Sequence, residues 1–562
     1  MKQIVTAILM LLMATGAEAK VVKVTMADGT RRIYSTSQLS SIDFNNDGSI
    51  VMTTYDGKTT DLTGGQFEEV SIDDEAAIMQ VTDTTVVFPE KDAVYDRHLK
   101  KIDFAYPSAD PHGNPTTLSG SILIPEEIYD GTTACDGIML FNRFTATGRY
   151  QAPTHGYFIF ETFYLSCPLK LNYIVVVSDF YGFGISDRYP QAFIQGTANA
   201  RASIDALFAA RELLSGMGID YGSLLFNLGY SSGGFDALAV QKLRDMEYHD
   251  VLAFDKTFAG AGPLDITEAY RDYVSTNQTA FMTGIALMMV STNETQQLGL
   301  DYSDIFNPPL DKQVPQWIFD KNVETFALNI DILDKAPAIS DLMTPAYSNL
   351  SSEQSLALCE VLEDLSIATG WIPDPSQKIY VMQSRDDDYV PFASGKPIVQ
   401  FLKNHGFTPS PYPGTTNLQS NFAFKNLTHI MASAVFFFET LFALKAWPTI
   451  YDVDGNLKEK YRNVLSHENM FPTETMRMMN EVGIDTKWLK NLPSNVDLDF
   501  NIEGLGEIDT GNLLTDSPLE IYNSMLPKGT AEKQAMKEDC GADISTYLRR
   551  LRNLLIAIGI TN

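Results

Sequence analysis

The run Gly229-Tyr230-Ser231-Ser232-Gly233-Gly234 places one serine between glycines on both sides. A serine hydroxyl becomes a useful nucleophile when a base takes its proton and a third group orients that base. Flanking glycines let a strand turn sharply into a helix, leaving the serine oxygen exposed above the corner. The surroundings suit this: Ser223 to Leu228 reads as a strand, and a helical run starts at Phe235. Ser231 is the centre of the pattern; Ser232 is not. An acid can come from Ser384-Arg385-Asp386-Asp387-Asp388-Tyr389-Val390-Pro391, directly after the strand-like Ile379 to Met382, where three adjacent carboxylates are available. A base can come from His429, just ahead of the apolar run Met431 to Leu444. Of the seven histidines, only His405, His429 and His467 follow the acid loop. His405 sits in an Asn-His-Gly that reads as a helix end, and His467 lies far along the C-terminal extension.

These residues need a scaffold, and the chain offers one. Ile122 to Pro125 ends an early strand; Gly137 to Phe141, Tyr173 to Val177, Thr257 to Ala259 and Ile379 to Met382 are short buried-type strands. Residues 199–215 follow helical spacing, with Ile204, Leu207, Phe208 and Leu213-Leu214 toward one side and glycines at the C-terminal end. Strand, helix, strand at this rhythm predicts a mainly parallel sheet covered by helices, an α/β fold. Between Asp265 and about Pro375 the strand rhythm stops and Met, Leu and Tyr recur at helical spacing. That stretch is too long for a loop, so a helical insertion is expected at 266–375. Residues 20–80 differ: short β-type runs are punctuated by Asp28-Gly29, Asp47-Gly48 and Asp56-Gly57, which predicts a small antiparallel β module.

Several segments resemble the α/β-hydrolase superfamily. The acid loop resembles the family's, in which the aspartate stands three residues before a Val-Pro pair; that register selects Asp387, with Asp386 and Asp388 as alternatives. The family's usual His-Gly at the loop start is replaced by Gln383-Ser384. The chain order Ser231, Asp387, His429 is the order this fold uses. Asp179-Phe180-Tyr181-Gly182-Phe183-Gly184-Ile185-Ser186 resembles the family's D-x-x-G-x-G-x-S loop. Gly196-Thr197-Ala198-Asn199-Ala200-Arg201 with Asp205, and Gly262-Pro263-Leu264-Asp265, resemble secretory lipase and esterase enzymes of bacteria and fungi. The resemblance covers about residues 95–445. It implies a Ser231–His429–Asp387 triad, a lid at 266–375 and two oxyanion donors: the backbone N–H of Ser232 and one from the loop holding Arg143 and Phe144. The family's H-G-G-G motif is absent. The N-terminal module resembles short β segments found on many exported Bacteroidetes proteins, which implies no activity.

Composition narrows the partners. With 41 Lys+Arg against 71 Asp+Glu the net charge is −30, which repels phosphate backbones and argues against nucleic acid. Lys2, the apolar Ile4 to Met13 and Ala17-Glu18-Ala19 read as a secretory leader over 1–19, so a periplasmic or extracellular protein is expected. No stretch is long and apolar enough for a membrane span. The four cysteines, Cys135, Cys167, Cys359 and Cys540, form no C-x-x-C pair, so no structural zinc is suggested and their pairing is open. Asp452-Val453-Asp454-Gly455-Asn456 is followed by Leu457 and Asn463 at the sixth and twelfth positions, where a calcium loop needs glycine and glutamate, and reads as a turn. No metal or other cofactor is called for.

The sequence therefore predicts a leader at 1–19, a β module at 20–80, an α/β-hydrolase catalytic domain at 90–445 and a mixed helix and loop extension at 446–562. The expected chemistry is carboxylic ester hydrolysis through an acyl-enzyme, on a small-molecule, lipid or acylated glycan ester. The rivals are a serine peptidase of the same fold and a non-catalytic hydrolase-like binding protein. A prolyl-oligopeptidase-type propeller does not fit between the leader and the catalytic domain. Ser231→Ala should abolish ester hydrolysis and labelling by a fluorophosphonate probe while circular dichroism stays unchanged; equal labelling of mutant and wild type contradicts the assignment.

Overall fold

The computed structural model describes residues 20–26, 31–35, 39–45, 48–54, 59–63, 67–74, 80–84, 99–155, 172–408, 417–421, 428–430, 432, 433, 436, 440, 500–502 and 506–508. The leader, Cys167, Cys540, His467 and the turn at Asp452 lie outside these residues. So does the C-terminal extension, apart from the antiparallel pair Phe500–Ile502 and Gly506–Ile508.

The N-terminal module forms two three-stranded antiparallel sheets. One orders Arg31–Ser35, Lys20–Met26 and Phe67–Asp74; the other orders Leu39–Phe44, Ile50–Thr54 and Thr59–Leu62. Each Asp-Gly pair falls between strands that pair antiparallel, as predicted. Ile42, Ile50, Met52 and Leu62 give the second sheet its buried side.

The main sheet has nine strands: β1 (Gln80–Thr84), β2 (Leu99–Ala109), β3 (Pro115–Pro125), β4 (Gly137–Asn142), β5 (Tyr173–Ser178), β6 (Leu224–Tyr230), β7 (Lys256–Gly260), β8 (Ile379–Met382) and β9 (Leu418–Asn421). Their spatial order is β9-β8-β7-β6-β4-β5-β3-β2-β1. β4 to β9 are mutually parallel, and β1 to β3 add an antiparallel edge. Every residue of β4, β5, β7 and β8 is buried. Parallel strands covered on both faces need such unbroken apolar runs, which is why these segments do not alternate. β1 stands in the gap between the two predicted units, so the sheet starts at Gln80, ahead of the expected boundary at 90.

Helix α1 (Gly196–Gly216) joins β5 to β6 and packs against α2 (Ser232–Glu247), which follows β6. Strand order reverses at β4, with β5 on one side and β6 on the other. In open α/β sheets the crevice beyond the C-terminal strand ends at such a reversal is where ligands bind. The candidate nucleophile, acid and base follow β6, β8 and β9 at that end.

Between β7 and β8 the chain forms the expected helical insertion: α3 (Ile266–Thr276), α4 (Met282–Thr295), α5 (Leu310–Asp320), α6 (Thr325–Leu333) and α7 (Glu353–Leu365). α4 is buried nearly all round, which explains why Met282, Met288 and Met289 occur on it without an apolar stripe. The insertion is fastened to the core at the end of α5. Lys321 Nζ, buried, donates to the carbonyls of Asp187 and Tyr189 at 2.7 and 2.6 Å. Burial lowers that amine to about 8. α8 (Phe392–Asn404) follows the acid loop and ends at His405, with Gly406 at φ +88°, the helix end read from Asn-His-Gly. No described helix is long and apolar enough to cross a membrane.

Candidate active site

Ser231 ends β6 and caps α2 with φ 59° and ψ −130°, a sparsely populated backbone region for a residue with a side chain. Close approach makes the surrounding glycines obligatory. A Cβ on Gly229 would collide with the Gly233 carbonyl, one on Gly233 with the Asn142 carbonyl, and one on Gly234 with the Gly260 carbonyl. The turn is held from below by Ser231 N–H donating to the Gly260 carbonyl at 2.8 Å. Buried amides brace it further: Asn142 Nδ2 donates to Asn227 Oδ1 at 2.7 Å, and Asn227 Nδ2 to the Ala237 carbonyl at 2.8 Å. Thus β4, the strand before the elbow and the helix after it are tied together.

The acid loop selects Asp387. Its side chain is fully buried, and its oxygens lie 2.8 and 3.0 Å from His429 Nδ1. Oδ1 also accepts the backbone N–H groups of Val390 at 2.8 Å and Tyr389 at 3.0 Å. Asp386 and Asp388 are exposed. Gln383, where the family usually has histidine, donates from Nε2 to the Val390 and Pro391 carbonyls at 3.1 and 3.2 Å and so pins the far side of the loop.

His429 is buried and clamped at three points. Asp387 takes Nδ1. Asp388 Oδ1 accepts the His429 backbone N–H at 2.8 Å, and Tyr230 Oη donates to the His429 carbonyl at 2.6 Å. With two carboxylate oxygens at Nδ1, the proton belongs on that nitrogen and the lone pair on Nε2. Nε2 is buried and has no hydrogen-bond partner among the described residues. It is therefore available to a proton donor in the cavity, and Ser231 Oγ, not bonded to it here, lines the same cavity.

That cavity, about 450 Å³ when its open mouth is counted, has Phe144, Thr145, Tyr230, Phe281, Phe326 and Tyr389 among its walls. Phe281, Thr325 and Phe326 come from the insertion, which thus closes over the site. Phe144 and Thr145 reach it from the loop after β4, and Thr145 Oγ1 donates to Ser232 Oγ at 3.1 Å. Arg143 does not line it: its guanidinium lies 4.1 Å from the Phe183 ring centroid and faces a second cavity that also holds Asp236 and Asn199. Burial pushes the Asp236 carboxyl up to about 7, against the lowering by its Asn199 bond. The aspartate of D-x-x-G-x-G-x-S is a staple. Asp179 accepts Ser119 Oγ at 2.5 Å, Thr154 Oγ1 at 2.7 Å and the Thr154 N–H at 3.0 Å. Among the described residues no group of His, Cys, Asp and Glu could hold a metal ion.

The structure thus brings together Ser231, Asp387, His429, Ser232 and Phe144, and sets the Arg143 side chain apart. Sequence reasoning missed Tyr230 and Asp388 as clamps on His429, and Phe281 and Phe326 as walls. Tyr230 is the variable position of the glycine-serine pattern, so its type carried no signal.

Solved structures with a similar fold exist. A Legionella pneumophila protein is 18% identical with a TM-score of 0.55, covering 65% of this chain and 96% of its own. The ligand-bound rice cell wall degrading esterase LipA of Xanthomonas oryzae is 19% identical with a TM-score of 0.52, covering 66% of this chain and 97% of its own. The chain has the α/β-hydrolase fold. No protein-family model matches this α/β-hydrolase chain, and no curated protein matches it.

The clamps predict a graded response. Asp387→Asn should lower turnover by roughly 10³- to 10⁴-fold, since it disturbs the imidazole tautomer. Asp386→Asn should cost less than about tenfold, or ~1.4 kcal/mol of barrier. Asp388→Asn keeps an acceptor oxygen and should also be mild, whereas Asp388→Ala, leaving the His429 N–H unpaired, should cost about tenfold or more. Turnover of one ester by the four variants at matched thermal stability checks this; a crippled Asp386→Asn would overturn the register.

Proposed function

We propose that the protein is an exported serine hydrolase that cleaves carboxylic esters through Ser231, His429 and Asp387. The observation that carries the reading is the buried His429, bonded to Asp387 through Nδ1 and presenting an unpartnered Nε2 to the cavity that Ser231 lines. The leader-like residues 1–19 support export.

In the acylation step His429 Nε2 takes the Ser231 hydroxyl proton as Oγ bonds to the ester carbonyl carbon. The carbonyl oxygen becomes an oxyanion, held by the backbone N–H of Ser232 and of Phe144, the loop residue on the cavity side. Asp387 holds the imidazolium in place. The tetrahedral adduct collapses, the C–O bond to the alcohol breaks, and Nε2 returns the proton to the leaving alkoxide. Water then repeats the sequence: His429 takes its proton, hydroxide adds to the acyl carbon, and Ser231 Oγ leaves protonated, releasing the acid.

The cavity favours an ester with a compact acyl group. The space beside Ser231 is narrow, and the rings of Phe144, Tyr230, Phe281, Phe326 and Tyr389 wall it. The name of the LipA neighbour supports ester over amide substrates and makes an acylated plant or microbial glycan a natural candidate class. The test is a chain-length series of p-nitrophenyl esters beside a peptide panel, with Ser231→Ala as blank. We expect kcat/KM to peak at short acyl chains and no peptide cleavage above the blank. Peptide cleavage without esterase activity would overturn the reading in favour of a peptidase.

A further inference from the structure

Two aromatic rings form a stack with the His429 imidazole. The Tyr389 ring lies 5.0 Å from it, centroid to centroid, with the planes 17° apart. The Phe281 ring stacks on Tyr389 at 4.8 Å and 9°. We propose that Tyr389 is a positioning residue for His429, and that the helical insertion holds Tyr389 in place through Phe281. The proposal rests on His429 being the base.

The physical need is specific. The Asp387 bond fixes one edge of the imidazole, and the Tyr230 ring, 5.0 Å away, meets it at a tilt of 46° rather than face to face, which leaves a swing about the line through Nδ1. A face packed against a parallel ring removes that swing and keeps Nε2 aimed into the cavity. The same ring face attracts the imidazolium formed while the proton is in transit. Burial, helped by Asp388 and Asp387, keeps the Tyr389 phenol up at about 12, so the ring stays neutral.

The insertion grips this loop at several points. Ala280 N–H and Thr279 Oγ1 donate to the Asp388 carbonyl at 2.9 and 3.3 Å. Tyr273 Oη donates to the Tyr389 carbonyl at 2.7 Å. Asn329 of α6 donates from Nδ2 to the Ala280 carbonyl at 2.8 Å, linking the Phe281 segment to the helix that carries Phe326. The path from the cover of the site to the base is therefore a continuous set of packed groups.

Tyr389 and Phe281 also wall the cavity, so the test must separate positioning from shape. p-Nitrophenyl acetate, the smallest ester of the series, makes little demand on the walls. With full-length protein at matched thermal stability, Tyr389→Leu should lower kcat on it by about 10- to 100-fold with KM within about threefold. Tyr389→Phe keeps the ring and should retain kcat within about threefold, and Phe281→Leu should lower kcat several-fold. If Tyr389→Leu keeps full kcat on the acetate and only changes chain-length preference, the ring is a wall and the proposal is overturned. If Tyr389→Leu does not fold, Phe281→Leu decides alone, and unchanged kcat on the acetate overturns the proposal. His429→Ala is the control: if it stays active, the base assignment itself fails and the proposal with it.

Discussion

Ser231 is held in a backbone conformation that costs about 1–3 kcal/mol for a residue with a side chain, and much of the surrounding structure follows from holding it there. The three glycines lie where carbonyls of β7, of β4 and of the helix itself stand in the space a Cβ would take. None could be alanine without moving one of those backbones. The cost is offset by a buried amide and hydroxyl network running beneath the corner, in which Asn142, Ser203, Asn227, Thr257 and Gln241 each find a partner. Such a network is stabilising only when complete, so it also fixes the spacing of β4, β6 and β7.

His429 poses the opposite difficulty: an imidazole is free to turn unless something stops it. Side chains from the elbow and from the acid loop both grip the His429 backbone, so its Cα is placed by the two elements it must serve. Tyr230 belongs to the turn that carries Ser231, and Asp388 is adjacent to Asp387. Displacing either element displaces His429 with it, which couples Ser231, Asp387 and His429 mechanically. The insertion joins the same assembly through Phe281, and Lys321 ties its middle to the carbonyls of Asp187 and Tyr189.

The parts legible in the sequence are those with a local physical signature. β5 is nearly all β-branched, the elbow has its glycines, and the Val390-Pro391 pair sets the aspartate register. The parts that were not legible lack one. Leu39–Phe44 and Thr59–Leu62 read LSSIDF and TTDL, with too few apolar positions to alternate, and β9 reads LQSN. β2 carries Pro107 and two lysines within a strand that pairs along its whole length with β3. β1 shows only a weak alternation and is defined by its pairing with β2. The clamps on His429 join residues 199 and 41 positions apart. Contacts of that span impose no period on either segment, so only the folded chain displays them. The Arg143 side chain could be placed only once the Phe183 ring was seen beside it.

The proposed reaction requires one geometry: an oxygen of Ser231, an imidazole nitrogen of His429 and two backbone N–H groups must converge on one point. A crystal structure of the protein after reaction with a p-nitrophenyl alkylphosphonate measures it directly. The account predicts phosphorus bonded to Ser231 Oγ and the phosphoryl oxygen accepting from the N–H groups of Ser232 and Phe144. It also predicts His429 Nε2 within hydrogen-bond distance of an ester oxygen on phosphorus. Phosphorus on another residue, or His429 Nε2 turned away from the adduct, would contradict it.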